Sequence, residues 1–510
     1  MDRWDGTPDG RPTHLVRTRG TVEPISMAPV LNSSAPVLIA YADRLAGNID
    51  GVTSLLAGPL AGAFGGVHLL PFFVPIDGAD AGFDPVDHTG VDPRVGSWDS
   101  VTALASRSHV IADLIVNHVS SRSEQFLDWL SNGDGSRYAE MFLTPQHVFG
   151  RLPEPAELDQ IYRPRPTSPF TEFTFADGTR RTVWTTFTDQ QVDIDVEHPL
   201  GWGYLLAILD RFASARITTV RLDAVGYAIK RAGTSCFMLP ETLAFIDRLG
   251  AACHARSMKV LVEVHGHHLD QLEIASRVDL VYDFALPPLT IDALSTGDGV
   301  ALRRWIAMRP ANSINVLDTH DGIGVIDVGI DARNPQRTGL LAPQRIHDLV
   351  ERIHERSAGV SRTATGSSAS NVDLYQVNCT FYDALGRDDE RYLAARMIQC
   401  MLPGTPQIYY VGLLAGENDA ELLARTGVGR DVNRHHYSPA EIDEALARPV
   451  VQRLLALLRW RATEPAFDGS FDVLESADHV VAVQWSSPVS TVSIEVDLAS
   501  GSVSVDPPFE

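Results

Sequence analysis

Three acidic side chains stand where β-rich runs of the chain end: Asp223 in Arg221-Leu-Asp-Ala-Val-Gly-Tyr227, Glu263 in Glu263-Val-His265, and Asp321 in Asp318-Thr-His-Asp-Gly-Ile-Gly324. A carboxylate trio in a sugar-sized pocket suits retaining glycoside chemistry, where one carboxylate attacks and another, about 5 to 5.5 Å away, donates a proton. The nucleophile must be ionised and the donor protonated at the same pH, so their surroundings must drive their pKa values apart. Arg221 lies two residues before Asp223, on the same face of a strand, and favours the ionised nucleophile. A lone Asp at a strand end more often caps or pairs, whereas three carboxylates converging on one mouth point to catalysis.

The elements that would bring the trio together are eight short β-rich runs: Val37 to Ala40, Val67 to Phe72, Val110 to Val116, Ile217 to Leu222, Val260 to Val264, Leu280 to Phe284, Ile314 to Leu317 and Gln407 to Val411. Helical periodicity separates most of them, as in Tyr204 to Ala215 and Pro240 to Arg256. This alternation predicts an α/β protein, a (β/α)8 TIM barrel whose active site lies at the C-terminal mouth. Roughly 100 residues separate the third and fourth runs, and nearly as many the seventh and eighth, far more than a simple crossover needs. Two insertions at the mouth are therefore expected, a domain B at 117–198 and a domain B′ at 323–386. The catalytic barrel takes 37–116, 199–322 and 387–466. Residues 1–36 read as a flexible extension. Alternation from 467 to 510, as in Val480 to Trp485 and Thr491 to Val496, predicts a small antiparallel β domain.

Composition excludes several classes of function. With 44% apolar and 21% charged residues among 510, the chain is globular rather than disordered or fibrous. Forty-two Lys plus Arg against 65 Asp plus Glu leave a formal charge of -23, which repels nucleic acid and anionic membranes. An anionic substrate would need local arginines. Cys236, Cys253, Cys379 and Cys400 show neither a CxxC pair nor zinc-like spacing, so they read as reduced thiols of a cytoplasmic protein, and no secretory signal is evident. Gly51 to Ile76 contains no Asp, Glu, Lys or Arg, yet Gly58, Pro59, Gly62, Gly65, Gly66 and Pro71 break it into a helix, a loop and a strand, not a membrane span.

Five words occur in order: Asp80-Ala-Gly-Phe-Asp-Pro-Val-Asp-His88, Asp113-Leu-Ile-Val-Asn-His118, Arg221-Leu-Asp223, Glu263-Val-His265 and His320-Asp321. With them the chain resembles the α-amylase superfamily, glycoside hydrolase family 13. Longer strings, Gln190-Gln-Val-Asp-Ile-Asp195, Ala232-Gly-Thr-Ser-Cys-Phe237, Tyr282-Asp-Phe-Ala-Leu-Pro-Pro288 and Leu317-Asp-Thr-His-Asp-Gly-Ile-Gly324, are similar to the sucrose phosphorylases within it. The resemblance spans about residues 37 to 466. It implies that Asp223 attacks the anomeric carbon, that Glu263 is acid and then base, and that Asp321 stabilises the oxocarbenium-like transition state. By the same resemblance Asp80, Phe83, His118, Phe187, Gln191, Arg221, His320 and Arg430 form the glucosyl site. Phosphorolysis further demands that phosphate be positioned and water excluded. The matching acceptor and phosphate residues are Tyr162, Pro164, Arg165, Tyr227, His265, Asp373 and Gln376. Val372 stands where Leu is expected, and Gly266-His-His268 replaces a more aromatic stretch.

The resemblance thus implies reversible phosphorolysis of sucrose to α-glucose 1-phosphate and fructose, with transglucosylation of other acceptors, inorganic phosphate as co-substrate and no cofactor. Other readings are a phosphorylase of sucrose 6′-phosphate, glucosylglycerol or glucosylglycerate, a retaining α-glucosidase, or a non-catalytic barrel scaffold lacking the carboxylates. His265, His267 and His268 invite a zinc reading, but the strand period places 265 and 267 on one face without further ligands nearby in sequence, so no metal is expected. No EF-hand, Walker loop or dinucleotide fingerprint occurs. Partners are small molecules, without nucleic acid or membrane, and a homodimer is left open.

Overall fold

Eight parallel strands close into a barrel in the order in which they occur along the chain: Val37–Ala40 (β1), Gly66–Leu69 (β2), His109–Ile115 (β3), Thr219–Asp223 (β4), Lys259–Val262 (β5), Leu280–Asp283 (β6), Ser313–Asn315 (β7) and Thr405–Tyr409 (β8), with β8 pairing back onto β1. All eight runs read from the sequence supply a strand. The computed structural model describes residues 35–163, 168–331, 333–366 and 376–509; the extension proposed for 1–36 lies almost wholly outside them.

The barrel lumen is layered by the two-residue period of its strands. Val37, Ile111, Leu261, Tyr282 and Ile314 form an apolar floor. One step up, Arg221 faces Asp113 across the β3–β4 pair, and Asp113 also meets His68 of β2. One further step brings Asp223 to the mouth. The charged word Asp113 inside the apolar run Val110 to Val116 is therefore a lumen position.

Helices pack outside. The one expected over Tyr204 to Ala215 starts earlier, at Pro199, because Pro fits the first turn and His198 accepts a cap hydrogen bond from the Leu200 amide at 3.3 Å. The uncharged stretch resolves into helix Ile49–Ala57 and β2, and no helix among the described residues is long and apolar enough to cross a membrane.

Two long excursions leave the C-terminal ends of β3 and β7. The first pairs His118–Ser120 antiparallel with Gln191–Asp193 and carries the hairpin Phe170–Thr174 and Arg180–Trp184 around a cluster of Phe126, Trp129, Phe142 and Phe173. The second pairs Ile323–Gly324 with Gln376–Val377 and carries helices Pro343–Arg356 and Val360–Thr365. After the barrel, Ser470–Val473 (β9), Val480–Ser486 (β10), Thr491–Asp497 (β11) and Val503–Asp506 (β12) form an antiparallel sheet. Its inner residues Val481, Val483, Val492 and Ile494 are buried, and the Trp485 indole donates to the Met401 carbonyl at 2.7 Å, fastening the sheet to helix Asp389–Met401, which leads into β8.

The loop that carries Asp321 is anchored by one buried ion pair. Both Arg396 nitrogens Nη1 and Nη2 bind Asp318, at 3.1 and 2.6 Å, with neither side chain more than 3% exposed. Arg396→Leu should strand the Asp318 charge and cost about 3 to 5 kcal/mol, read as a lowered unfolding midpoint in urea. An unchanged midpoint would contradict the anchoring role.

Candidate active site

A cleft at the barrel mouth, enclosing about 530 Å³ including its open entrance, is lined by Asp80, Phe83, His118, Phe187, Asp223, Ala224, Tyr227, Glu263, His320, Asp321 and Arg430. Larger surface grooves lie on the outer side of the first excursion, but none of them gathers facing carboxylates at strand ends.

The carboxylate trio reaches the cleft by three routes. Asp223 is the last residue of β4, and the next residue, Ala224, adopts a left-handed conformation (φ 55°) that turns the chain sharply away. The Ala224 amide then lies 3.4 Å from Glu263 Oε2. Glu263 immediately follows β5, and Asp321 sits in the loop beyond β7, with the Asn433 side chain donating to the Thr319 carbonyl at 2.9 Å.

Arg221 Nη1 binds Asp223 Oδ1 at 2.8 Å and Asp113 Oδ1 at 2.5 Å, while its Nη2 is 3.9 Å from Glu263. Burial pushes the Asp223 carboxyl well above the usual carboxylate range; Arg221 pulls it back, and Glu263 and Asp113 add to the rise. Burial would also raise Asp321, but Arg430, His320, Arg434 and His265 outweigh it and hold this carboxyl far below its ordinary value. Arg430 Nη1 lies 2.7 Å from Asp321 and 3.6 Å from Asp80, bridging the two.

The remaining residues expected at the glucosyl site divide into lining and support. Phe83 stacks on His320, with centroids 4.7 Å apart and planes within 9°, and Phe187 packs against His118 and Tyr227. Burial lowers both His118 and His320 below the ordinary imidazole value. Gln191 lies behind the wall: its amide donates to Asp80 Oδ2 at 2.7 Å, and His118 Nε2 donates to the Phe83 carbonyl at 2.9 Å. Arg221, too, supports the cleft from below rather than lining it.

Of the residues expected on the acceptor side, Tyr227 lines the cleft, and Tyr162 stacks on Tyr227 and packs at a tilt against Phe237. The Tyr162 amide donates to the Ser235 carbonyl at 2.9 Å, tying the first excursion to the string Ala232 to Phe237. His265 lines an adjoining cavity that shares Asp321, with its Nε2 4.0 Å from Glu263 and 3.1 Å from the Gln376 amide. Arg430 Nη2 donates to Gln376 Oε1 at 3.4 Å. Pro164, Arg165 and Asp373 lie outside the described residues.

The strand face expected to carry His265 and His267 together does not form. β5 ends at Val262, so His265 and His267 share no strand face; His267 caps helix His268–Ala275, accepting from the Leu269 amide at 3.3 Å, and its Nε2 reaches the Thr338 carbonyl at 3.1 Å. Glu263, His265 and Asp321 do bring ligand-type atoms within 4.8 Å of one another. Arg430 on Asp321 and Arg221 beside Glu263 place two guanidinium cations at that point, and they compete electrostatically with any metal ion there.

A family model described as "Alpha amylase, catalytic domain" matches residues 32–262. A sucrose phosphorylase of Agrobacterium vitis is 56% identical over 92% of this chain and 96% of its own length. The chain belongs to the sucrose phosphorylase family. A second sucrose phosphorylase, from Bifidobacterium adolescentis, is 51% identical over 91% of this chain and 92% of its own. The crystal structure of sucrose 6F-phosphate phosphorylase from Thermoanaerobacter thermosaccharolyticum superposes with a TM-score of 0.86 at 35% identity, covering 93% of this chain and 96% of that one. Family membership within the α-amylase fold agrees with the site at the mouth of the barrel.

Several supporting residues escape a reading of the sequence. Asp113 carries His68 and Arg221, and these neighbours hold its carboxyl down to about 2 against the burial that would raise it. Lys230, one of only two lysines in the chain, is buried with its Nζ 2.8 Å from Asp193 and 2.9 Å from Asn117, and it also bonds the Tyr227 carbonyl. Its rarity was a usable signal. Asp327, fully buried beside His265, left none beyond being acidic in an apolar stretch.

Proposed function

We propose that the protein is a retaining α-glucosyl phosphorylase that converts sucrose and inorganic phosphate reversibly to α-glucose 1-phosphate and fructose. The observation that carries the reading is the placement of Arg221: it hydrogen-bonds Asp223 at 2.8 Å but stays 3.9 Å from Glu263. The nearer cation favours the ionised form of Asp223 against the burial that raises its carboxyl, and a retaining mechanism needs that charge on Asp223 while Glu263 serves as the acid.

In the first step Asp223 attacks the glucosyl C1 while Glu263 gives its proton to the departing fructosyl oxygen. The C1–O bond to fructose breaks, and a C1–O bond to Asp223 forms with inversion. In the second step phosphate attacks C1 from the opposite face, any proton it carries on the attacking oxygen passes to Glu263, and Asp223 leaves as carboxylate. Two inversions give net retention. Asp321, Asp80 and Arg430 form a charged rim suited to the sugar hydroxyls, and Phe83 and Phe187 supply apolar walls. The overall charge of -23 disfavours phosphate at long range, so Arg430 and His265, with Arg165 from outside the described residues, are the proposed local compensation. Phosphate is a co-substrate here, and the proposed chemistry uses no resident cofactor. The four buried, unbonded cysteines support a cytoplasmic setting.

Product analysis of purified protein with sucrose, with and without phosphate, tests the proposal. Glucose 1-phosphate should form only with phosphate and in step with fructose. Free glucose at the same rate in both reactions would make the protein a hydrolase.

A further inference from the structure

His265 owes its orientation to a residue outside the substrate cleft. Its Nδ1 lies 3.0 Å from Asp327 Oδ2, and the other Asp327 oxygen accepts the Gly266 amide at 3.2 Å and the Gln271 side-chain amide at 3.1 Å. One buried carboxylate thus fixes both the ring and the backbone that carries it. Phe284 stacks on the same ring, with centroids 3.8 Å apart and planes within 18°, and packs one face of the imidazole. The approach is so close that position 324 has room for nothing but glycine. A Cβ there would overlap Asp327 Oδ2 and stand 3.0 Å from His265 Nδ1. The second glycine of His320-Asp-Gly-Ile-Gly324 is explained by this contact.

We propose that Asp327 is a positioning residue for phosphate: it holds the Nδ1–H of His265 toward itself, turns Nε2 toward the edge shared by Glu263 and Gln376, and supplies the counter-charge that lets Nε2 carry a proton as well. The inference rests on the phosphorylase reading above, because it concerns the donor that anion would use. A neutral ring in this geometry presents an Nε2 lone pair, which accepts from the Gln376 amide nitrogen 3.1 Å away and repels phosphate; the protonated ring presents an N–H, which gives up the Gln376 contact and binds phosphate with charge assistance. Burial works against the charged ring, but Asp327, Glu263 and Asp321 together raise His265 above its ordinary value. Phe284 from beyond β6 and Gln376, whose Oε1 is bound by Arg430, also flank the ring. Asp327 is the only one of the three carboxylates that touches the ring at hydrogen-bond distance without facing the sugar.

The test compares Asp327→Asn, Gly324→Ala and His265→Gln with the wild type, in phosphorolysis and in phosphate-free hydrolysis. Asp327→Asn should raise KM for phosphate about tenfold or more while KM for sucrose stays within about twofold. Because protonated His265 is the binding form, phosphate use falls as pH rises through its pKa; removing the Asp327 charge lowers that pKa, so the alkaline limb should move at least about one unit to lower pH. Comparing variants at equal phosphate cancels the anion's own titration. Gly324→Ala should shift the same two quantities in the same direction, since it parts the pair without removing either member. If both variants are too unstable to assay, wild-type protein suffices: the His265 ring resonance, identified by its loss in His265→Gln, should titrate above about 6.5. A midpoint at or below that value overturns the inference. So does an unchanged alkaline limb in a folded Asp327→Asn protein when His265→Gln has lost phosphate affinity. If His265→Gln itself keeps wild-type KM for phosphate, the placement of phosphate at His265 fails, and this inference with it.

Discussion

Asp223→Asn should abolish phosphorolysis of sucrose by about four orders of magnitude or more while leaving the fold intact. The loss is large because the amide is no nucleophile, and everything else the site provides then acts on a reaction with no attacking group. The fold should survive because Arg221, the cation that bonds Asp223, keeps its other partner, Asp113, at 2.5 Å, and so is not stranded in the lumen. Removing one of two facing carboxyls also relieves the repulsion that raises Asp223. Steady-state phosphorolysis, with a circular dichroism melt as control, checks both halves. Activity within tenfold of wild type would exclude Asp223 as nucleophile.

Glu263→Gln should separate the two jobs of a catalytic acid. With sucrose the leaving fructosyl oxygen needs a proton, and the rate of glucosyl-enzyme formation should drop about 10² to 10⁴-fold. With α-glucosyl fluoride no proton is needed, so the same step should stay within about tenfold of wild type. Glu263 Oε2 accepts only a long contact from the Ala224 amide, 3.4 Å, so replacing it by an amide disturbs little structure. Equal losses on the two donors would mean that Glu263 orients the substrate rather than protonates it.

How far such a site can be read from sequence depends on how far apart its parts lie. The barrel was legible because buried parallel strands are short apolar runs with breakers between them. Their limits drift where local chemistry intervenes: Pro71 stops β2 short of the expected Phe72, and the run expected to end at Val411 turns instead into the helical turn Tyr410–Leu413. Asp223, Glu263 and Asp321 were legible because each stands at or just beyond the end of a strand, where a barrel has its mouth. The supports were not. Asp327 meets His265 across 62 residues, Lys230 meets Asn117 across 113, and Arg221 meets Asp113 across 108. Such pairs obey no local period, and only closure of the barrel makes them neighbours. The histidines at 265 and 267 show the converse: a strand period was applied past the end of the strand, where a helix cap decides the geometry.

The central claim is that a glucosyl group passes from sucrose to Asp223 and from Asp223 to phosphate, with fructose gone before phosphate attacks. Exchange of labelled inorganic phosphate into α-glucose 1-phosphate, in the complete absence of fructose, tests it most directly. The account predicts rapid exchange in the wild type, since glucose 1-phosphate alone can glucosylate Asp223 and release its phosphate, and none in Asp223→Asn. Exchange that appears only when fructose is added would require both partners in the site at once and would contradict a covalent glucosyl-enzyme.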